Sequence, residues 1–204
     1  MTGCSIDAIR IVRVFLGLLT LVAIGNQLSI HLQMGASWIN YFSYFTILSN
    51  LISAVVLLST GSPRTPSRHL QSIRALSTIN MAVVGIVFAL LLRDEELGSL
   101  RPWINFVPHY LMPCAVVLDW LLRPPTTRLG LRNLPAFLVF PTAYLAYTLV
   151  RGGATGWYPY PFLNPQSVGG YAGVAAYAAC ITVLFVLVGW TVMSIPSLRR
   201  TGSS

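Results

Sequence analysis

A chain of 204 residues that is 55% hydrophobic and only 9% charged cannot keep a surface wet, because a soluble domain carries roughly a quarter of its residues as charged side chains. Lipid is the expected solvent, and a mean hydropathy of +0.70 agrees. The net charge of +8 rests on thirteen arginines with no lysine; they lie in short segments between apolar runs and form no single patch, which speaks against nucleic acid as a partner.

A helix needs about 20 apolar residues to cross the hydrocarbon core. Six stretches qualify, at 8–30, 39–59, 73–92, 103–122, 135–150 and 170–194. The first follows Arg10 and Arg13 and has no prompt small-x-small cleavage site, so it reads as an uncleaved helix and not as a signal peptide. The fifth is short and carries Pro141. Connections are short and rich in Gly, Pro, Ser and Thr, so the expectation is an all-α polytopic bundle forming one domain over 1–204. Arginine placement orients it. Arg10, Arg13, Arg64, Arg68, Arg74, Arg123, Arg128, Arg132, Arg199 and Arg200 fall on one side. Only Arg93, Arg101 and Arg151 fall on the other, offset by Asp94, Glu95 and Glu96. Ten against three puts the first side, and both termini, in the cytoplasm by the positive-inside rule.

Cys4, Cys114 and Cys180 show no CxxC, and His31, His69 and His109 show no ligand spacing, so neither a metal site nor a disulfide framework is expected. No Walker loop, HExxH or GxSxG is present, and no cofactor is expected. The chemistry must come from polar residues inside the spans, which are costly there and tend to face the bundle interior. In the second stretch Ser43, Thr46, Asn50 and Ser53 recur at helical spacing on one face; helix-to-helix hydrogen bonding is the plain explanation, although the Asn amide needs several partners. In the fourth, Asn105 and His109 share a face. Thr46 and His109 fall at matched depth, roughly 10 Å below the outer surface, where a hydroxyl and an imidazole can act as nucleophile and base. Asp119 lies about 15 Å deeper than His109 and reads as structural, paired with Arg123 four residues on and with Arg74. Before the sixth stretch, Trp157, Tyr158 and Tyr160 among Pro159, Pro161 and Pro165 form either an interfacial aromatic belt or a stiff lid. Arg151 beside them is an interfacial anchor or a holder for a carboxylate or phosphate.

Together these stretches resemble a known family. Phe45–Thr46 followed by Asn50, Trp103-Ile104-Asn105 followed by His109, Asp119 later in the same helix, and Gly156 through Pro161 are similar in order and spacing to motifs of the androgen-induced gene family. Some of its members are intramembrane threonine hydrolases that cleave fatty acid esters of hydroxy fatty acids. The chain looks closest to the bacterial Pr-six-Pr membrane proteins. It departs from the animal pattern in placing Asn50 four residues after Thr46, in having Phe106 where a second His is usual, and in setting Pro108 directly before His109.

The resemblance implies a plasma-membrane hydrolase of lipid (fatty acyl) esters, with membrane lipids as its surroundings. Thr46 would be the nucleophile and His109 the base, with Asn50 or Asn105 donating to the oxyanion and Arg151 contacting substrate. Two other readings stay open: a lipid-binding or transport protein using the same polar cavity without covalent chemistry, and a structural partner of another membrane protein.

Overall fold

The computed structural model describes residues 2–62, 66–93, 101–125 and 134–201, with side chains from 8 to 195. Arg64, Asp94, Glu95, Glu96, Arg128 and Arg132, and the side chains of Cys4, Arg199 and Arg200, lie outside the described residues, so this part of the arginine count is a sequence argument only. The elements are α1 (Thr2–Gln33), α2 (Trp38–Phe42), α3 (Phe45–Gly61), α4 (Arg68–Val87) running on into a π-helical turn (Phe88–Leu92), α5 (Pro102–Phe106), a second π turn (Val107–Leu111), α6 (Met112–Leu122), α7 (Leu134–Thr155) and α8 (Tyr171–Thr201). The described residues are all-helical, with no strand.

Five helical segments are long and apolar enough to cross a membrane: Ala8–Gln33, Arg68–Leu92, Pro102–Leu122, Leu134–Thr155 and Tyr171–Ile195. The second expected span, 39–59, is not one helix. It breaks at Ser43–Tyr44, leaving the five residues of α2 and the 17 of α3. At the break Ser43 Oγ donates to Ile39 O at 2.7 Å, and Tyr44 runs extended at φ −79°, ψ 127°. The polar face therefore begins at Thr46, and Ser43 stands outside it.

The contacts form two compact units, Met1–Arg128 with Ile195–Ser204, and Leu129–Ser194. Hydropathy marks where helices are and says nothing of which helices pack together. In the first unit α1 and α4 both pack on α3, α4 packs on α6, and the Val107–Leu111 turn meets α1, α3 and α4. Glycine allows the α1–α3 approach: a Cβ on Gly17 would sit 2.8 Å from Leu58 Cγ, and one on Gly61 would sit 2.6 Å from Val14 Cγ2. In hydrocarbon no hydrophobic force drives helices together, so such close backbone packing carries the association. Gly35 ends α1 at φ 73°, in a Schellman arrangement with Gly35 N donating to Leu32 O and Ala36 N to His31 O.

The surface is apolar and the interior partly polar. Leu90 is 75% exposed, while Ser49, Asn50, Ser53, Ser77 and Asn80 are each 0% exposed. That inversion is what a bilayer solvent selects. Ala23, Leu57, Met81, Val107, Met112 and Val116 form an apolar core cluster of the first unit. Asp119 takes two arginines. Arg13 Nε donates at 2.8 Å and Arg74 Nη2 at 2.7 Å, and Arg13 also reaches Thr60 O. Arg74 is thus the partner expected, but the second partner is Arg13 and not Arg123. Arg123 leaves the helix at φ −133°, ψ 67°, so the four-residue spacing no longer brings its exposed side chain over Asp119.

In the second unit, Thr155 Oγ1 donates to Arg151 O and Gly156 follows at φ 72°, ending α7. The aromatic loop folds back on its own helices. Gly152 leaves room for the Tyr158 ring, where any Cβ would collide. Phe162 stacks on Tyr160 and reaches Tyr177 of α8.

Candidate active site

The geometry of the site follows from two prolines. Pro108 and Pro113 lack N–H groups, and a proline ring also collides with the carbonyl four residues back. The helix relieves this by widening: Met112 N donates five residues back, to Val107 O. Pro108 O is then left over. The Met112 donor is taken, and the next possible donor is Pro113, which has none. The missing donor arrives from another helix. Asn50 Nδ2 lies 3.3 Å from Pro108 O and 2.9 Å from Thr46 O, so one buried amide ties the first turn of α3 to the residue before His109. Single π turns of this kind recur at functional sites.

His109 is held on two sides. Its Nδ1 lies 3.0 Å from Asn105 O. A carbonyl can only accept, so Nδ1 carries the proton and the Nε2 lone pair is left to act as a base. The imidazole also stacks on Phe88 at 4.2 Å between centroids and 24° between planes, with Tyr110 edge-on to the same Phe88 ring. Phe88 opens the other π turn, so two widened turns meet at the histidine.

In the first unit Asn50 bonds to the Val107–Leu111 turn that carries His109, with Thr46 one turn from Asn50 along α3 and Asn105 one turn before His109. Thr46 is the second residue of α3 and is buried. Both amide hydrogens of Asn50 are committed to backbone carbonyls, so it links elements and does not fit the expected role of oxyanion donor. Asn105 orients His109 through its backbone carbonyl. Asp119 belongs to the ion-pair cluster with Arg13 and Arg74. Arg151 lies in the second unit, its guanidinium 4.9 Å over the Trp157 ring. No group of three His, Cys, Asp or Glu able to hold a metal occurs among the described residues.

Sequence reasoning passed over the buried polar residues Gln27, Ser49 and Asn80. Gln27 Oε1, Ser49 Oγ, Asn50 Oδ1, Gln71 Oε1, Asn105 Oδ1, Thr148 Oγ1 and both polar atoms of Asn80 are buried without a protein hydrogen-bond partner among the described residues. Each such atom costs about 1–3 kcal/mol. The signal available in sequence was weak: single polar residues in apolar runs, with no shared periodicity across helices.

A family model described as FAR-17a/AIG1-like protein matches residues 12–194. The chain belongs to this family. The match takes in α3, the Val107–Leu111 turn and the aromatic loop, and so covers every candidate site residue. No curated protein and no solved structure matches the chain.

Proposed function

We propose that this FAR-17a/AIG1-like protein is an intramembrane hydrolase of lipid (fatty acyl) esters, with Thr46 as nucleophile and His109 as base. The observation that carries the reading is the Nδ1 contact of His109 with Asn105 O, which leaves Nε2 free to accept a proton, on a turn tied by Asn50 to the turn of Thr46. His109 Nε2 takes the Thr46 proton as Oγ attacks the ester carbonyl, and returns it to the leaving alcohol as the tetrahedral intermediate collapses. Thr46 in the first turn of α3 also sits where the helix end favours developing negative charge. With Asn50 committed, Asn105 is the remaining amide for the oxyanion. In the plasma membrane, with both termini in the cytoplasm, the site draws its substrate from lipids of the outer leaflet. Similarity of the motifs to the threonine hydrolases and to Pr-six-Pr proteins supports the assignment.

The test is purified protein in detergent with a fluorogenic long-chain acyl ester. Thr46→Ala and His109→Ala should each abolish turnover while leaving the protein folded, and Thr46→Ser should retain part of it. Asn105→Ala should cost about 3 kcal/mol of barrier, near a hundredfold. Equal hydrolysis by wild type and Thr46→Ala would remove the enzyme reading, and an intact co-purified lipid without turnover would favour a carrier.

A further inference from the structure

One buried charge cluster takes no part in the proposed chemistry. Arg13 Nε and Arg74 Nη2 donate to the Asp119 carboxylate at 2.8 and 2.7 Å. Arg13 Nη1 also reaches Thr60 O, and Arg74 Nη2 reaches Asp119 O. These bonds gather the start of α4 with the ends of α3 and α6. The side chains of Arg13, Arg74 and Asp119 are only 12%, 6% and 15% exposed. Two guanidiniums share one carboxylate, so the cluster keeps one positive charge in a largely buried place, where an unbalanced charge is costly.

The sequence puts its other acids elsewhere. Of five acidic residues, Asp94, Glu95 and Glu96 follow Leu92, which is about 27 Å along the helix from Arg74. Asp7 precedes Arg13 by about 9 Å along α1 and is one turn from Arg10. The carbonyl ends of α3 and α6 offset part of the charge, and the amino end of α4 adds to it. Arg74 uses Nε and Nη2 in its bonds, and its Nη1 makes no hydrogen bond among the described residues. Gln71 stands one turn before Arg74 on the same face of α4. It is 5% exposed, and its Oε1 has no partner. A half-turn of its amide presents either a donor or an acceptor.

We propose that this cluster binds the phosphodiester of an anionic lipid, with Arg74 Nη1 donating to a phosphate oxygen and the Gln71 amide bonding to a headgroup hydroxyl. The phosphate brings the negative charge that the chain does not supply, and a guanidinium edge suits its oxygens. Gln71 is about 4.5 Å nearer the end of α4 than Arg74, so the two meet phosphate and headgroup in the order these have in a leaflet. A choline headgroup would set another cation beside two arginines and fits poorly. The arginine distribution makes this the cytoplasmic leaflet, where basic pockets between helices take anionic headgroups. The proposal does not rest on the hydrolase reading, and its test reads binding alone.

The test is native mass spectrometry of the purified protein in detergent, titrated with phosphatidylglycerol, phosphatidylcholine or inorganic phosphate. Wild type should hold one phosphatidylglycerol about tenfold more tightly than phosphatidylcholine, and millimolar phosphate should not displace it. Arg74→Gln leaves a neutral Arg13–Asp119 pair and should abolish the preference. Arg68→Gln removes an exposed arginine from the same helix and should leave the preference unchanged. Gln71→Leu keeps the ion pairs and should weaken phosphatidylglycerol binding about threefold; it carries the test should Arg74→Gln fail to fold. Wild type without a preference overturns the proposal, as does unchanged binding in Gln71→Leu. Equal losses in Arg68→Gln and Arg74→Gln overturn it too, because diffuse surface charge would then draw the lipid. Displacement by millimolar phosphate assigns the site to a soluble anion and overturns the lipid.

Discussion

Replacing Asn50 tests the central join of the site, and two substitutions separate its parts. Asn50 is 0% exposed and gives hydrogen bonds at 2.9 and 3.3 Å to Thr46 O and Pro108 O. In Asn50→Leu both bonds go, at about 1 kcal/mol net each, and Pro108 O becomes an unpaired buried carbonyl, about 1–3 kcal/mol more. Loss of the unpartnered Oδ1 returns a similar amount, so the variant should be less stable by about 2 kcal/mol at any pH. Asn50→Asp differs in pH dependence. A carboxylate cannot face two carbonyl oxygens, whereas the neutral acid can donate its O–H to one of them. The folded state therefore holds the introduced carboxyl protonated, with its pKa above the unfolded value near 3.9. Such a group stabilises most below the unfolded pKa, and stability falls as pH rises, by about 1.4 kcal/mol per unit until the folded pKa is reached. From this term the variant should lose about 4 kcal/mol at pH 7 and about 1.5 kcal/mol at pH 5. The assay is reversible unfolding in mixed micelles, followed by far-UV circular dichroism at both pH values, each variant against wild type. A deficit for Asn50→Asp that does not change with pH, or a gain in stability for Asn50→Leu, would refute the account of Asn50 as the donor that completes the widened turn.

Asp119→Asn should cost about 3–5 kcal/mol, because two guanidiniums with 12% and 6% exposed side chains lose their shared anion. Arg123→Met should be near neutral in the same unfolding assay, and the reverse order would place the ion pair wrongly. Gly85→Ala should destabilise by about 1–3 kcal/mol, since its Cβ would lie 2.9 Å from Pro113 Cβ; an unchanged melting temperature would show that α4 and α6 can part at no cost. Reporter fusions after Ser62 should register cytoplasm and insertions after Gly35 the outside, because ten arginines oppose three; the opposite pattern would invert the assignment.

Composition alone determined the solvent, because transfer into lipid is summed residue by residue and 9% charge cannot be hidden by any fold. Apolar runs located five membrane helices to within a few residues. Helical spacing put Asn50 one turn from Thr46 and Asn105 one turn from His109, because a four-residue step is local and needs no tertiary information. The same locality explains where the reading failed. It treated 39–59 as one helix, since hydropathy does not register the break at Ser43–Tyr44, where Tyr44 runs extended. It paired Asp119 with its sequence neighbour Arg123, where α1 delivers Arg13 from 106 residues away. It offered Asn50 as an oxyanion donor, because only the meeting of α3 with a turn widened between Pro108 and Pro113 shows that both amide hydrogens are already used. Whether a buried polar atom is satisfied depends on which helices face each other, and only the tertiary structure decides that.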